Sequence, residues 1–388
     1  MPRVPPREHF AEYTDNNRIK HEILTRYLRQ YVTALSKHAG GFHYIDGFAG
    51  AGSYDGQPGS PVLAMEVLAR QMKKFSLSLV ESDAQMCAEL RIAMAACNRP
   101  AGMLDDPLVV RGQFSEHLSQ ILSRHIYSSA PNTATFAFLD PCRASGYGVE
   151  EVRAILERRF GECLIFWNYD GVNRWLGGLA AQQHSAAGLG KMFGSQEALD
   201  AALDIQSSTK APPEKERELL GHFLQSLHSY SGAKFLIPFR FTSDLSNRTS
   251  HYLVHCSGHA LAFRIMKDVM ASVSSNNEPG QFSFLGTNDM GNQLPLLVPE
   301  ALSAAKAAVL GELRKGAVSV RHFVEGYVER PIDLLRSKDY RDILLQLEAE
   351  GTIEVLDPSG RSPRPAASRR PYKGAPSLSP ELVIRLVT

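Results

Sequence analysis

Three carboxylates stand where an apolar run ends: Asp46 after Phe42–Ile45, Glu81 after Phe75–Val80, and Asp140 after Thr133–Leu139. Short runs of β-branched and aromatic residues read as buried strands of a largely parallel sheet. The spacing therefore predicts three strands, each presenting an acid at its carboxyl end, which is the edge where open α/β sheets bind ligands. Asp46 leads straight into Gly47-Phe-Ala-Gly-Ala-Gly52, followed by Ser-Tyr-Asp-Gly56. Glycine has no Cβ and tolerates positive φ, so such a loop lets backbone N–H groups approach a ligand closely. A carboxylate beyond the neighbouring strand can accept bonds from both hydroxyls of a ribose. Together these residues suit a nucleotide-like cofactor.

Glycine spacing separates the cofactors. A dinucleotide fingerprint needs G-x-G-x-x-G opening directly into a helix, whereas Gly50 to Gly56 runs one residue longer. An acid ahead of the glycines is the arrangement expected of an S-adenosylmethionine (SAM) methyltransferase. On that reading Asp46, Gly47, Phe48, Gly50 and Gly52 surround the amino-acid part of the cofactor, and Glu81 takes the ribose. Gln113, following an expected strand at Pro107–Val110, lies against the adenine, and Asp140 borders both the cofactor and the reacting atoms. An ordinary glycine turn capped by Asp46 is the competing account of the loop. A nicotinamide-dependent dehydrogenase fails on the spacing and on the acid before the loop; Glu81 suits either cofactor.

The elements that position these groups follow from periodicity and caps. Arg18–Leu35 repeats apolar residues at helical spacing, and Lys20 at its start either meets the cofactor carboxylate or is a solvated lysine on a packing helix. Ser60 reads as an N-cap with Pro61 at the first helical position, and Asp83 as the N-cap of Ala84–Ala96. Gly148–Phe160 reads as a helix and Glu162–Trp167 as a fifth strand. The segment Asn168–Leu176 carries Asn173 and Arg174, either as substrate-facing groups with a catalytic role or as solvated residues at a helix start. Residues 177–230 read as a helical insertion, and Lys234–Phe241 with Ser250–Cys256 as a hairpin completing a seven-stranded sheet. His251, His255 and His259 do not share one helical face and read as structural or turn residues, not metal ligands. The whole predicts an α/β protein with a Rossmann-like sheet of the class I methyltransferase type over residues 1–275 and a linker at 276–298. A C-terminal winged-helix-like module follows at 299–357, then a basic flexible tail at 358–388.

Several stretches resemble the three-Cys-motif partner (TcmP) family: Lys20-His-Glu-Ile-Leu-Thr-Arg-Tyr-Leu28, Tyr44-Ile-Asp-Gly-Phe-Ala-Gly-Ala-Gly-Ser-Tyr54, Gly59-Ser-Pro61, Phe138-Leu-Asp-Pro141, Asn173-Arg174 and Ile265-Met-Lys-Asp268. They extend over most of the chain. The resemblance implies a methyltransferase-like fold and a separate partner protein carrying three cysteines. The first block is similar, more distantly, to bacterial ribosomal-RNA adenine-N6 methyltransferases. Against that likeness, Asp140-Pro-Cys-Arg143 lacks the second proline and the aromatic that amino-methyltransferases use to hold a base. It also departs from the Asp-Pro-Phe-Gly form of TcmP-like proteins. Tyr147 or Tyr169 would then supply a stacking ring from elsewhere, and Cys142 beside Arg143 is either a reactive thiol or a small core residue.

Composition sets the outer limits. A chain of 388 residues with 44% hydrophobic and 21% charged residues can bury a sizeable core. A net charge of +1 gives no global basic field, so nucleic-acid contact would have to come from a local patch such as Arg361, Arg364, Arg369, Arg370 and Lys373. The same tail residues could equally be a solvated segment. Five cysteines without a C-x-x-C pair suggest neither a zinc site nor a disulfide framework. No apolar run of membrane-spanning length and no signal-peptide core occur, so a cytoplasmic location is expected. The leading expectation is a SAM-dependent methyltransferase-like enzyme acting with a partner, on nucleic acid or a nucleotide-derived product. The alternative is a non-catalytic subunit that keeps the fold and recruits a three-cysteine protein.

Overall fold

Apolar runs that a parallel sheet buries on both faces become its central strands. Here they are β1 (Phe42–Asp46), β2 (Phe75–Glu81), β4 (Ala134–Leu139) and β5 (Gly161–Trp167), with β3 (Leu108–Arg111) on the edge. The computed structural model describes residues 14–97, 99–141, 146–180, 187–242, 248–276, 280–284, 298–330, 333–372 and 375–387. They fall into two units, one holding the described residues of 1–275 and 282–292, the other those of 276–281 and 293–388.

In the first unit β6 (Phe235–Thr242) and β7 (Thr249–Ser257) form the expected hairpin, and β8 (Ser283–Phe284) adds a short parallel strand beside β6. The eight strands run in the order β3-β2-β1-β4-β5-β7-β6-β8. Strands β1 to β5 are parallel, and β7 is antiparallel to both β5 and β6. This is the Rossmann-like, methyltransferase-type sheet expected from the sequence, extended by one strand. Residues 283–284, expected as linker, belong to the sheet instead.

Helix α1 (Asp15–Leu35) buries Ile23, Leu24, Tyr27 and Leu28 completely and packs on α2 (Ser60–Gln71). Thr14 caps it by accepting the Asn17 N–H at 3.3 Å. A polar cluster ties α1 to the sheet interior. Glu162, fully buried at the start of β5, accepts the Tyr27 hydroxyl and lies 3.0 Å from His255 Nε2 and 3.4 Å from Ser257 Oγ. Removing one partner of a buried polar pair strands the other. Glu162→Ala should therefore destabilise the first unit by about 3 kcal/mol, and Glu162→Gln by less. Urea unfolding of the three proteins measures this; a loss below about 0.5 kcal/mol would fit only a surface residue.

The second unit is built from its own elements. Before it come α3 (Ala84–Ala96), α4 (Phe114–Leu122), α5 (Val149–Leu156) and α6 (Tyr169–Ala180), then α7 (Ala187–Phe193), α8 (Gln196–Ser207), α9 (Pro212–Ser226) and α10 (Ala260–Val273). Helices α7 to α9 occupy the region expected as a helical insertion. The second unit has α11 (Val298–Leu313), β9 (Val318–Ser319), a turn of π-helix at His322–Tyr327, α12 (Ser337–Ala349), β10 (Ile353–Leu356) and β11 (Val383–Leu386). Its antiparallel sheet runs β9-β11-β10 around Val309, Phe323, Leu347 and Ile384.

Strand β11 corrects the expectation of a flexible tail over 358–388. Val383, Ile384 and Leu386 form an apolar run that completes this sheet, and Ile384 is fully buried. Arg369, counted among the tail's free cations, is paired with Glu348 at 5% side-chain exposure. Arg361, Arg364 and Arg370 are exposed, and Lys373 lies outside the described residues. Among the described residues no helix is long and apolar enough to cross a membrane.

Candidate active site at the carboxyl edge of the sheet

Strand order brings β2, β1 and β4 side by side, so Glu81, Asp46 and Asp140 lie along one edge at the point where the chain reverses its direction of winding. Ligands of open α/β sheets bind at such a switch point.

Asp46 is fully buried. One of its oxygens accepts the Tyr44 hydroxyl at 3.0 Å and the Ser60 hydroxyl at 2.7 Å, and the other accepts the Phe48 N–H at 3.2 Å. Burial pushes its pKa up to about 7; the three bonds oppose the rise, and the Asp140 charge adds to it. Ser60 thus does not cap α2 as expected. Gly59 is the N-cap, because the Ser60 hydroxyl is committed to Asp46. A carboxyl whose folded pKa lies above its unfolded value stabilises the fold at low pH. That contribution fades as pH rises, at about 1.4 kcal/mol per pH unit between roughly 4 and 7. Asp46→Asn should flatten this stretch of the stability profile in urea titrations at pH 5, 6 and 7; an unchanged slope would mean that Asp46 ionises normally.

The glycine loop holds two left-handed residues, Gly50 at φ 59° and Gly52 at φ 81°. A Cβ on Gly50 would come within 2.2 Å of the Tyr54 hydroxyl oxygen. Beyond it, Ser53–Tyr54 pairs with Gln57–Pro58 across Asp55 and Gly56, both at positive φ. That is the backbone of a two-residue hairpin turn, and it accounts for the length that separates this loop from a dinucleotide fingerprint. Gly47 lies where a Cβ would meet Leu139 Cδ2 at 2.7 Å, and Phe48 beside it is half-buried. Glu81 secures the loop from β2. One oxygen accepts the Gly50 N–H at 2.9 Å and keeps a lone pair, while the other accepts the Asp83 N–H at 2.7 Å and the Ser82 hydroxyl at 3.4 Å. Asp83 caps α3 through the Gln85 and Met86 N–H groups, as expected.

Lys20 reaches this edge from α1. Its Nζ lies 2.6 Å from Asp140 Oδ2 and 4.8 Å from the centre of the Phe166 ring, and its side chain is only 10% exposed. The lysine therefore lies at this edge against Asp140 and is not a solvated residue on a packing helix. Phe166, half-buried at the end of β5, and His251, whose ring centre is 4.4 Å from that of Phe166, complete the group. Neither was singled out for the site from sequence. The position of Phe166 next to the last residue of a strand was the available signal.

Gln113 stands at the same edge, one residue past Gly112, whose N–H donates to the Glu81 carbonyl at 3.1 Å; it is the exposed N-cap of α4, with its own N–H bonded to Glu116 Oε2 at 3.3 Å. Arg174 sits on α6 in an exposed ion pair with Asp170 at 3.0 Å, and the Asn173 carbonyl accepts Gln206 Nε2 at 3.3 Å. No described contact joins Asn173 or Arg174 to Lys20 or Asp140. Neither tyrosine is a free stacking ring. Tyr147 is 4% exposed with its hydroxyl on the Phe166 carbonyl at 3.0 Å, and Tyr169 packs edge-on against Trp167 and Tyr252. Cys142 and Arg143 lie outside the described residues. No group of metal-ligating side chains is found among the described residues.

No protein-family model matches the chain, and no curated protein matches it. Solved structures do. A Legionella pneumophila protein from a domain family of unknown function is 12% identical, covering 66% of this chain and 91% of its own, at a TM-score of 0.38. Trm1 from Pyrococcus horikoshii, in complex with SAM, is 13% identical over 69% of this chain and 61% of its own, at 0.32. The plantazolicin methyltransferase BamL, in complex with a triazolic desmethyl analogue and S-adenosylhomocysteine (SAH), is 14% identical over 67% and 79%, at 0.30. The strand order described above, rather than these likenesses, carries the fold.

Proposed function

We propose that the first unit is a SAM-dependent methyltransferase acting with a partner protein on nucleic acid or a nucleotide-derived substrate, as its resemblance to the TcmP family implies. The observation that carries this reading is the set of three acids on adjacent strand ends around a glycine loop that a side chain would block. The donor set fits the cofactor. Ionised Asp46 is matched to its ammonium, Glu81 Oε2 keeps a lone pair for a ribose hydroxyl, and Lys20 is matched to its carboxylate, exchanging Asp140 for it. SAM supplies a methyl group on a sulfonium, so in-line positioning matters more than strong acid or base assistance. Asp140, once released from Lys20, is free to accept a bond from the methyl-accepting group.

The second unit supports the partner role without deciding it. Its order of helix, strand, two helices and two strands agrees with a winged-helix-like module, a form used to bind either nucleic acid or protein. One observation favours a non-catalytic subunit: the carboxylate at the reaction edge is already held in an ion pair. Transfer of label from methyl-tritiated SAM to transfer RNA and to single-stranded DNA, with and without the three-cysteine protein, separates the two. Labelled nucleic acid is expected with the partner present; SAM binding without transfer to either substrate would favour the subunit.

A further inference from the structure

His251 is a buried imidazole with one nitrogen unaccounted for. Strand β7 runs antiparallel to β5, with Tyr252 opposite Trp167, so His251 lies just past the carboxyl end of β5. It therefore shares the edge that carries Asp46 and Asp140. Its ring is held between Phe166 at 4.4 Å and Phe241 at 4.5 Å, and the residue is 7% exposed. The Phe166 ring also lies beneath the Lys20 ammonium.

The tautomer follows from where the single Ser250 proton lies. Ser250 Oγ is 2.8 Å from His251 Nδ1 and donates to the Phe241 carbonyl at 3.2 Å. A hydroxyl has a single proton, so with that proton on the carbonyl the ring must donate through Nδ1–H. His251 Nε2 is then a bare lone pair, buried and without a partner among the described residues. An unmatched buried acceptor is a cost that native structures rarely carry unexplained. Burial and the neighbouring Lys20 charge both lower the histidine's affinity for a proton, so the nitrogen stays neutral. His255 offers a contrast: its Nδ1 is also unpartnered, but its other nitrogen is spent on Glu162 in the closed interior.

We infer that His251 Nε2 is a binding group for the methyl-accepting substrate, receiving a hydrogen bond from an N–H or O–H on or beside the atom to be methylated. The inference rests on the methyltransferase reading and narrows it to amine, amide or hydroxyl acceptors, excluding carbon and thioether acceptors that carry no such donor. Two rings fix the imidazole plane, and the Ser250 bond fixes its tautomer, so the group is oriented before substrate arrives.

Two readouts test this on the full chain. With 15N-labelled histidine, long-range proton–nitrogen spectra should show His251 as the Nδ1–H tautomer, uncharged from pH 5 to 8, the resonance being assigned by its absence in His251→Gln. An Nε2–H tautomer, or an imidazolium at pH 7, would overturn the inference, and this readout needs no turnover. Transfer to transfer RNA is then compared between variants whose SAM affinity is measured by calorimetry. His251→Phe should lose about 100-fold in rate with SAM affinity unchanged, and His251→Gln, whose side-chain oxygen is again an acceptor, should recover most of it. A His251→Phe protein as active as wild type would sink the inference alone, whereas failure of the wild type to bind SAM would sink the methyltransferase reading.

Discussion

Glu81→Ala should weaken SAM binding by about 100-fold or more. The carboxylate is expected to accept charge-assisted bonds from the ribose, each worth about 1.5–3 kcal/mol. It also clamps the Gly50 and Asp83 N–H groups from one side chain, so its loss frees the loop that must close on the cofactor. Glu81→Gln separates these roles. Its amide oxygen still accepts one N–H, while its NH2 opposes the other, and an intermediate loss of roughly tenfold is expected. Calorimetry with SAH gives both values, and thermal unfolding of the free proteins reports any damage to the fold. Affinity within threefold of wild type for Glu81→Ala would remove Glu81 from the site.

Lys20 and Asp140 should respond in opposite directions. If Lys20 changes partners when the cofactor arrives, Lys20→Ala loses an ion pair with the cofactor carboxylate and affinity falls roughly tenfold or more. Asp140→Ala removes the competitor for Lys20, so SAM affinity should hold or rise, while methyl transfer drops by about 1000-fold because a positioning group at the reaction edge is gone. The double variant should bind SAM as Lys20→Ala does. Equal weakening by both single variants would mean that the 2.6 Å pair is only a structural fastener. That result would favour the non-catalytic subunit.

The sheet was legible because its signal is local: apolar runs of strand length, each ended by an acid or a turn. The acids at 46, 81 and 140 were legible for the same reason, since each closes such a run. Strand β8 was not legible, because two residues carry no period, and β11 was masked by the proline- and arginine-rich stretch before it. Ser60 read as a cap because the cap preference is strong, yet a buried carboxylate 14 residues earlier in sequence took its hydroxyl. His251 was set aside because a search for metal ligands asks for shared faces. Its significance depends on its place between Phe166 and Phe241 and beside the Ser250 hydroxyl, contacts that form only in the folded sheet. Arg174 illustrates the converse: resemblance pointed to it, and the i,i+4 partner Asp170 holds it toward solvent.

The central claim is that this edge binds SAM, and titration calorimetry of the full chain at pH 6 and pH 8 tests it most directly. Asp46, with its pKa near 7 in the free protein, is mostly protonated at pH 6 and mostly ionised at pH 8. Only the ionised form pairs with the cofactor ammonium, so affinity should rise with pH, by up to about tenfold per unit below the pKa. One saturable site per chain, tighter at pH 8 and lost in Glu81→Ala, is the result predicted. No binding at either pH would contradict the account and leave a methyltransferase fold serving only as a scaffold.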